Sequence, residues 1–297
     1  MRKTIPLVFV LTLVWGTNWP LFPIAVREVS VWTFRGVSLL GAGLALLAFA
    51  RIRGESLRIP RAYWGTVLAA SLAYLVVWNV ASTYAAVLIP SGQAAILGFT
   101  MPLWAALIGW AFLGQRPGWR LLIALAIGGL GVALLIVSGI DAYAKAPLGF
   151  ALGLLAGVGW AAGTVILKSR PVPGSALVTT GWQLLVAAVP ILIGAFAFGR
   201  GEWFMPSATT LIVIGYITLV PMGIGNAAWF AMVGLLPPNV AGLSAVMVPV
   251  VAMVAGAMIH NEPLGAVQWA SMLCCAAGLG LALFRPVAPQ TREARNR

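Results

Sequence analysis

Asn79, Ala81, Pro90, Ala94 and Pro102 return, in the same order and at the same spacing, as Asn226, Ala228, Pro237, Ala241 and Pro249. The flanks agree: Trp15 in the first apolar stretch answers Trp160 in the sixth, and Gly129-Leu130-Gly131 in the fifth answers Gly278-Leu279-Gly280 in the tenth. The chain is a duplicated unit, and each copy carries an odd number of apolar stretches. If every stretch crosses a bilayer, the copies must face opposite ways, an arrangement transporters use to expose one site to either side.

The stretches are long enough for this. Hydrophobic residues make up 61% of the 297-residue chain and charged ones 8%, against about 25% charge in a soluble domain. A span needs roughly 20 mainly apolar residues. Such runs fall at about 5–25, 31–50, 62–84, 91–114, 120–138, 148–169, 176–198, 208–235, 239–261 and 266–284. Trp15, Asn18 and Trp19 occupy the place where a cleaved leader would need small residues, so the first run is read as a retained span. The expected fold is an all-α integral membrane protein, with ten transmembrane helices in two inverted five-helix repeats. The repeats cover 1–141 and 142–285, and 286–297 form a polar cytoplasmic tail.

The net charge of +12 follows topology and not nucleic-acid binding. With both termini in the cytoplasm, the inner segments hold Arg2, Lys3, Arg51, Arg53, Arg58, Arg61, Arg116, Arg120, Lys168, Arg170, Arg285, Arg292, Arg295 and Arg297. The outer loops hold only Arg27, Lys145 and Arg200. This is the positive-inside bias, suited to anionic lipid headgroups. The bilayer and a small-molecule solute are the expected partners, and the chain is expected to be a monomer or weak homodimer. Cys274 and Cys275 read as small packing residues, with no disulfide framework or metal site. No Asp or Glu falls in mid-span, and His260, the sole histidine, sits at the outer end of the ninth. Neither a metal cluster nor a nucleophile–base pair can be assembled. No enzyme activity and no cofactor are expected.

The candidate solute site comes from residues that belong poorly in lipid. Trp15, Trp78, Trp104 and Trp160 lie well inside their spans, where an indole N–H has no headgroup to bond. They either pack the bundle or wall a cavity. Asn18 lies beside the Thr12–Trp15–Trp19 face. Gln93, Thr100 and Trp104 form an i, i+7, i+11 row on the fourth span. Asn79 and Asn226 are paired amides, serving interhelical bonds or the solute. Gln183 in the seventh span corresponds to Arg35 in the second. Arg35 either reaches the outer headgroups or draws an anionic group into a cavity. Pro102 and Pro249 lie near mid-span and are expected to kink or hinge the helices.

Three motifs carry a resemblance to a known family. They are Trp15-Gly16-Thr17-Asn18-Trp19, the Pro90…Pro102 segment closing with Leu113-Gly114-Gln115, and the Pro237…Pro249 segment closing with Asn261-Glu262-Pro263. Over essentially the whole chain the pattern resembles the EamA-type repeats of the drug/metabolite transporter superfamily, and within it the bacterial aromatic amino-acid exporters of the YddG type. That family typically closes both repeats with Glu; here Gln115 replaces the first and Glu262 keeps the second. The resemblance implies alternating-access export of aromatic and other neutral amino acids from the cytoplasm, across a bacterial inner membrane. It implies a central cavity lined by the first four helices of each copy, with the fifth and tenth peripheral. A broad-specificity drug or metabolite exporter of the same fold is the alternative.

Overall fold

The computed structural model describes residues 5–114, 118–138, 145–199, 205–225, 238–262 and 264–283. These form helices and short connections, with no strand among the described residues. In chain order the helices are α1 (Ile5–Asn18), α2 (Leu21–Ala25), α3 (Val31–Ile52), α4 (Arg61–Leu88), α5 (Ser91–Gly98), α6 (Met101–Leu113), α7 (Trp119–Ser138), α8 (Pro147–Ser169), α9 (Ala176–Phe198), α10 (Ala208–Gly225), α11 (Pro238–His260) and α12 (Ala266–Leu283). Six helical stretches are long and apolar enough to cross a membrane: α3, α4, Ser91–Phe112 across α5 and α6, α8, α9 and α10. Shorter apolar helices cover Leu122–Leu134, Met247–His260 and Ala266–Gly278.

Side-chain placement is that of a protein solvated by lipid. α3 exposes Val37, Leu40 and Leu44 while it buries Arg35 and Ser38. α9 exposes Val189, Ile193 and Phe196 and buries Thr180 and Gln183. Apolar faces outward with polar groups inward suit hydrocarbon, where unpaired polar groups are costly.

The duplication reaches the backbone. Ser71 opens a π-helical segment of α4 (Ser71–Val76), and its sequence counterpart Thr218 opens one in α10 (Thr218–Gly225). Both hydroxyls donate 2.7 Å bonds to the carbonyl four residues back, Val67 and Ile214 respectively. Such back-bonding competes with the helical ladder and bends it. Pro221, which has no N–H to give, adds to the second distortion. The fourth helices of the two copies also end alike. Gly114 after α6 and Asn261 after α11 occupy equivalent positions, both left-handed at φ 64° and 53°. Only Gly and Asn visit that region at low cost.

Two equivalent pairs of helices, α3 with α9 and α7 with α12, pack together and run antiparallel, as an inverted duplication requires. A Cβ on Gly36 of α3 would meet Leu192 of α9, and one on Gly43 would meet Leu185 and the Gly181 carbonyl. α7 and α12 join through small residues: Ser271 donates to the Gly131 carbonyl at 2.7 Å, and Gly278 lies against Ala124 and Gly128. Small residues let membrane helices approach this closely. The copies also interlock, with α1 packed on α11 and α8 on α4, α5 and α6.

The fourth span departs from the expected kinked helix. Its helix stops at Gly98 and restarts at Met101, which places Pro102 in the first turn of α6. The corresponding α11 runs unbroken through Pro249. Thr100 accounts for part of the difference: its N–H bonds the Leu97 carbonyl at 3.2 Å, and its hydroxyl donates to the same oxygen. A proline ring clashes with the carbonyl four residues back, and at N2 of a fresh helix that conflict is avoided.

Candidate functional site: an aromatic cavity between the two copies

Two tryptophans, one from each copy, build the walls. On α8, Gly159 and Gly163 let the helix come down on the π segment of α4. A Cβ on Gly159 would lie 2.7 Å from the Ala73 carbonyl, and any Cβ on Gly163 would overlap that of Tyr74. The approach sets the Trp160 ring edge-on to Tyr74, with centroids 4.6 Å apart, and to Trp78 at 4.4 Å. On the other side, the Trp15 indole N–H of α1 donates to the Pro221 carbonyl of α10 at 3.1 Å. A Cβ on Gly225 would stand 2.6 Å from that indole nitrogen, so Gly225 makes its room. Tyr74 and Pro221 are equivalent residues of the duplication, as are Trp15 and Trp160.

Further aromatics close the ring. Trp19 meets Trp78 edge-on at 5.8 Å and packs on Phe22 and Phe99 at 5.6 and 6.2 Å. The break after Gly98 delivers Phe99. Together Trp15, Asn18, Trp19, Phe22, Arg35, Tyr74, Leu75, Trp78, Asn79, Phe99, Trp160, Leu184, Pro221 and Met222 line a cavity of about 70 Å³. That is space for two waters at a share of ~30 Å³ each and lies below the ~300 Å³ of typical ligand pockets. An aromatic solute therefore requires these walls to move apart.

Polar groups in the cavity are few. The Asn79 amide donates to the Leu75 carbonyl at 2.8 Å. Asn18 Oδ1 has no partner among the described residues. Arg35 is 2% exposed, enclosed within the protein. Its guanidinium carbon lies 4.0 Å from the Phe22 ring centroid and 4.7 Å from that of Phe34.

Of the residues singled out in the sequence, Trp15, Asn18, Arg35, Trp78, Asn79 and Trp160 come together here. Gln93, Thr100, Trp104 and Gln183 are outside the lining. Gln93, Thr100 and Gln183 are buried nearby, whereas the Trp104 indole donates to Thr100 Oγ1 at 3.1 Å. The i, i+7, i+11 row assumed one continuous helix, and the break divides it. Pro249 is buried within α11. Asn226 and Gln115 lie outside the described residues. Phe22 and Tyr74 escaped sequence reasoning although their spacing signals them: Trp15, Trp19 and Phe22 run i, i+4, i+7, and Tyr74 and Trp78 are one turn apart. No pattern marked Phe99, because its position depends on the break.

His260 and Glu262 hold backbone. His260 Nε2 lies 2.6 Å from the Pro20 carbonyl, to which it donates. The Glu262 carboxylate accepts from the N–H groups of Ser91 at 2.7 Å and Gly92 at 3.1 Å, capping α5 where a negative charge is favoured. The end of α11 is thereby tied to the chain after α1 and to the start of α5.

Comparison with known proteins agrees with this architecture. The EamA-like transporter family model matches twice, over residues 2–137 and 147–284. The "Uncharacterized inner membrane transporter YedA" of Escherichia coli (strain K12) is 27% identical, covering 91% of this chain and 88% of that protein. The "Uncharacterized transporter YvbV" of Bacillus subtilis (strain 168) is 26% identical over 88% and 85%. A "Probable amino-acid metabolite efflux pump" of Escherichia coli (strain K12) is 23% identical over 95% of both. A solved crystal structure shares the fold with a TM-score of 0.67 at 17% identity, covering 94% of this chain and 97% of that one.

Proposed function

Because this chain belongs to the EamA-like transporter family, we propose that it exports amino acids, aromatic and other neutral ones, from the cytoplasm by alternating access. In this reading ten spans cross the bacterial inner membrane, with both termini in the cytoplasm. One observation carries it: the cavity is walled by equivalent tryptophans of two inverted copies, Trp15 and Trp160, and by Tyr74 and Trp78 facing Pro221 and Met222. A site shared by two halves that can exchange conformations is what alternating access needs.

Trp15, Trp78 and Trp160 would receive the solute's side chain. Asn18, Asn79 and Arg35 would receive its polar end. Gln93, Thr100, Trp104 and Gln183 would act from behind the wall, with Asn226 opposite Asn79 in sequence. Pro102, beside the break, and Pro249, in the intact helix, would be the flexing points. The 23% identical efflux pump, named for amino-acid metabolites, supports the solute class.

Uptake of labelled phenylalanine into proteoliposomes tests the reading. We expect saturable uptake accelerated by unlabelled phenylalanine inside the vesicle. No uptake above empty vesicles across a broad amino-acid panel would overturn it. Protection of cells against lipophilic dyes, without protection against toxic amino-acid analogues, would point to a broad drug or metabolite exporter of the same fold.

A further inference from the structure

Arg35 lies in the cavity wall with 2% of its surface exposed. Its Nε donates to Thr83 Oγ1, whose hydroxyl in turn donates to the Asn79 carbonyl at 2.6 Å. Phe22 and Phe34 cover its faces. Nη2 has no partner among the described residues. Every described carboxylate is engaged elsewhere: Glu28 with Ser207, Glu55 with Arg53, and Glu262 with Ser91 and Gly92. A buried cation without a counter-ion is costly. Aromatic faces offset part of that cost, but they supply no acceptor for Nη2. Asn18 Oδ1, an acceptor without a donor among the described residues, belongs to a residue that lines the same cavity.

We propose that Arg35 is a carboxylate-binding subsite: the solute's carboxylate accepts from Nη2, and its ammonium, where it has one, donates to Asn18 Oδ1. This rests on the transport reading and narrows its solute class. The protein takes carboxylates with an apolar or aromatic body, α-amino acids among them. It rejects lipophilic amines, which would bring a second positive charge beside Arg35. Arg35 is also an asymmetric element, because Gln183 takes its place in the second copy.

The test is a binding titration of the purified full-length protein in detergent, followed by the fluorescence of the cavity tryptophans. Three probes share one ring: phenylalanine, 3-phenylpropionate with a carboxylate only, and phenylethylamine with an amine only. We expect saturable binding of the first two and at least about ten-fold weaker binding of the amine. In Arg35→Gln both carboxylates weaken by about ten-fold or more, the size expected for one charged hydrogen bond. Arg35→Lys retains part of the affinity. If Arg35→Gln fails to fold, Arg35→Lys and the wild-type ranking of the three probes decide. Amine binding equal to or tighter than that of the carboxylates overturns the proposal. So does unchanged carboxylate affinity in a folded Arg35→Gln, or binding of none of the three. Carboxylate binding without uptake in vesicles would instead sink the transport reading and leave the subsite standing.

Discussion

Trp15 and Trp160 occupy equivalent places in the two copies, yet they are held in different ways. Trp160 is held by stacking, edge-on to Tyr74 and Trp78. Trp15 is held by a hydrogen bond to the Pro221 carbonyl, in a space left by the missing side chain of Gly225. The cause is in the π segments. Equivalent hydroxyls, Ser71 and Thr218, bond back along both helices alike, but Tyr74 and Trp78 in one are Pro221 and Gly225 in the other. One copy therefore supplies aromatic bulk and the other an exposed carbonyl and room. At these segments the duplication keeps the π-helical backbone and lets side chains diverge, so an inverted pair of helices encloses an asymmetric cavity. The fourth spans add a second divergence. Gly98-Phe99-Thr100 breaks where Ala245-Val246-Met247 stays helical, and only the broken copy delivers a phenylalanine to the wall.

The harshest way to break this comparison is to fill the close approach on the stacked side. Gly163→Leu forces α8 off Tyr74, and overpacking of this kind costs about 3 kcal/mol. We expect a clear loss of thermal stability in detergent, together with loss of solute uptake. Gly225→Leu crowds the bonded side, where the nearest atom is the end of an indole that can swing. About 1–2 kcal/mol is expected, with a blue or red shift of tryptophan emission as Trp15 leaves Pro221.

A matched pair of conservative changes sharpens it. Trp15→Phe removes an N–H that has a partner and should cost about 1 kcal/mol. Trp160→Phe keeps an aromatic edge against Tyr74 and Trp78 and should cost less than that in the same unfolding titration. Equal losses would mean that the two tryptophans are held alike. At the break, Thr100→Val removes the hydroxyl that donates to Leu97 and accepts from Trp104. We expect no more than about 1 kcal/mol, with increased hydrogen exchange confined to the α5–α6 junction.

The smallest effect is electrostatic. Glu28, in the loop before α3, accepts from the Ser207 N–H and hydroxyl at the start of α10. These bonds hold its carboxyl below the usual value of 4.5. A carboxylate with a depressed pKa contributes stability that is full above its unfolded value and is lost as pH falls through the folded one. Melting temperature should therefore show a slight fall on acidification below about pH 4.5, absent in Glu28→Gln.

Much of the architecture was legible in the residues themselves. The recurrence of Pro90 and Pro102 as Pro237 and Pro249 located the copies. The Gly114 and Asn261 closings fall where both fourth helices end left-handed. Trp15 and Trp160 stood out because a mid-span indole needs a partner, and the structure gives one a carbonyl and the other a pair of rings. The π segments were not legible, because a serine that bonds back along the helix looks in sequence like any small residue. The break at Phe99 was hidden for a related reason: a mid-span proline is compatible with a kink, a break or an intact helix, and α6 and α11 realise two of these. Arg35 reads in sequence as reaching either headgroups or a cavity, and no pattern in the residues foretells the rings of Phe22 and Phe34 that cover it.

Solute protection of the cavity tests the central idea most directly. With Cys274 and Cys275 replaced by alanine, a cysteine in place of Asn18 would report on the cavity through its rate of reaction with a soluble thiol reagent. We expect phenylalanine to slow that reaction several-fold, saturating over the same concentrations that saturate uptake in vesicles. A labelling rate indifferent to phenylalanine, in protein that still transports it, would place the solute's route elsewhere and contradict the account.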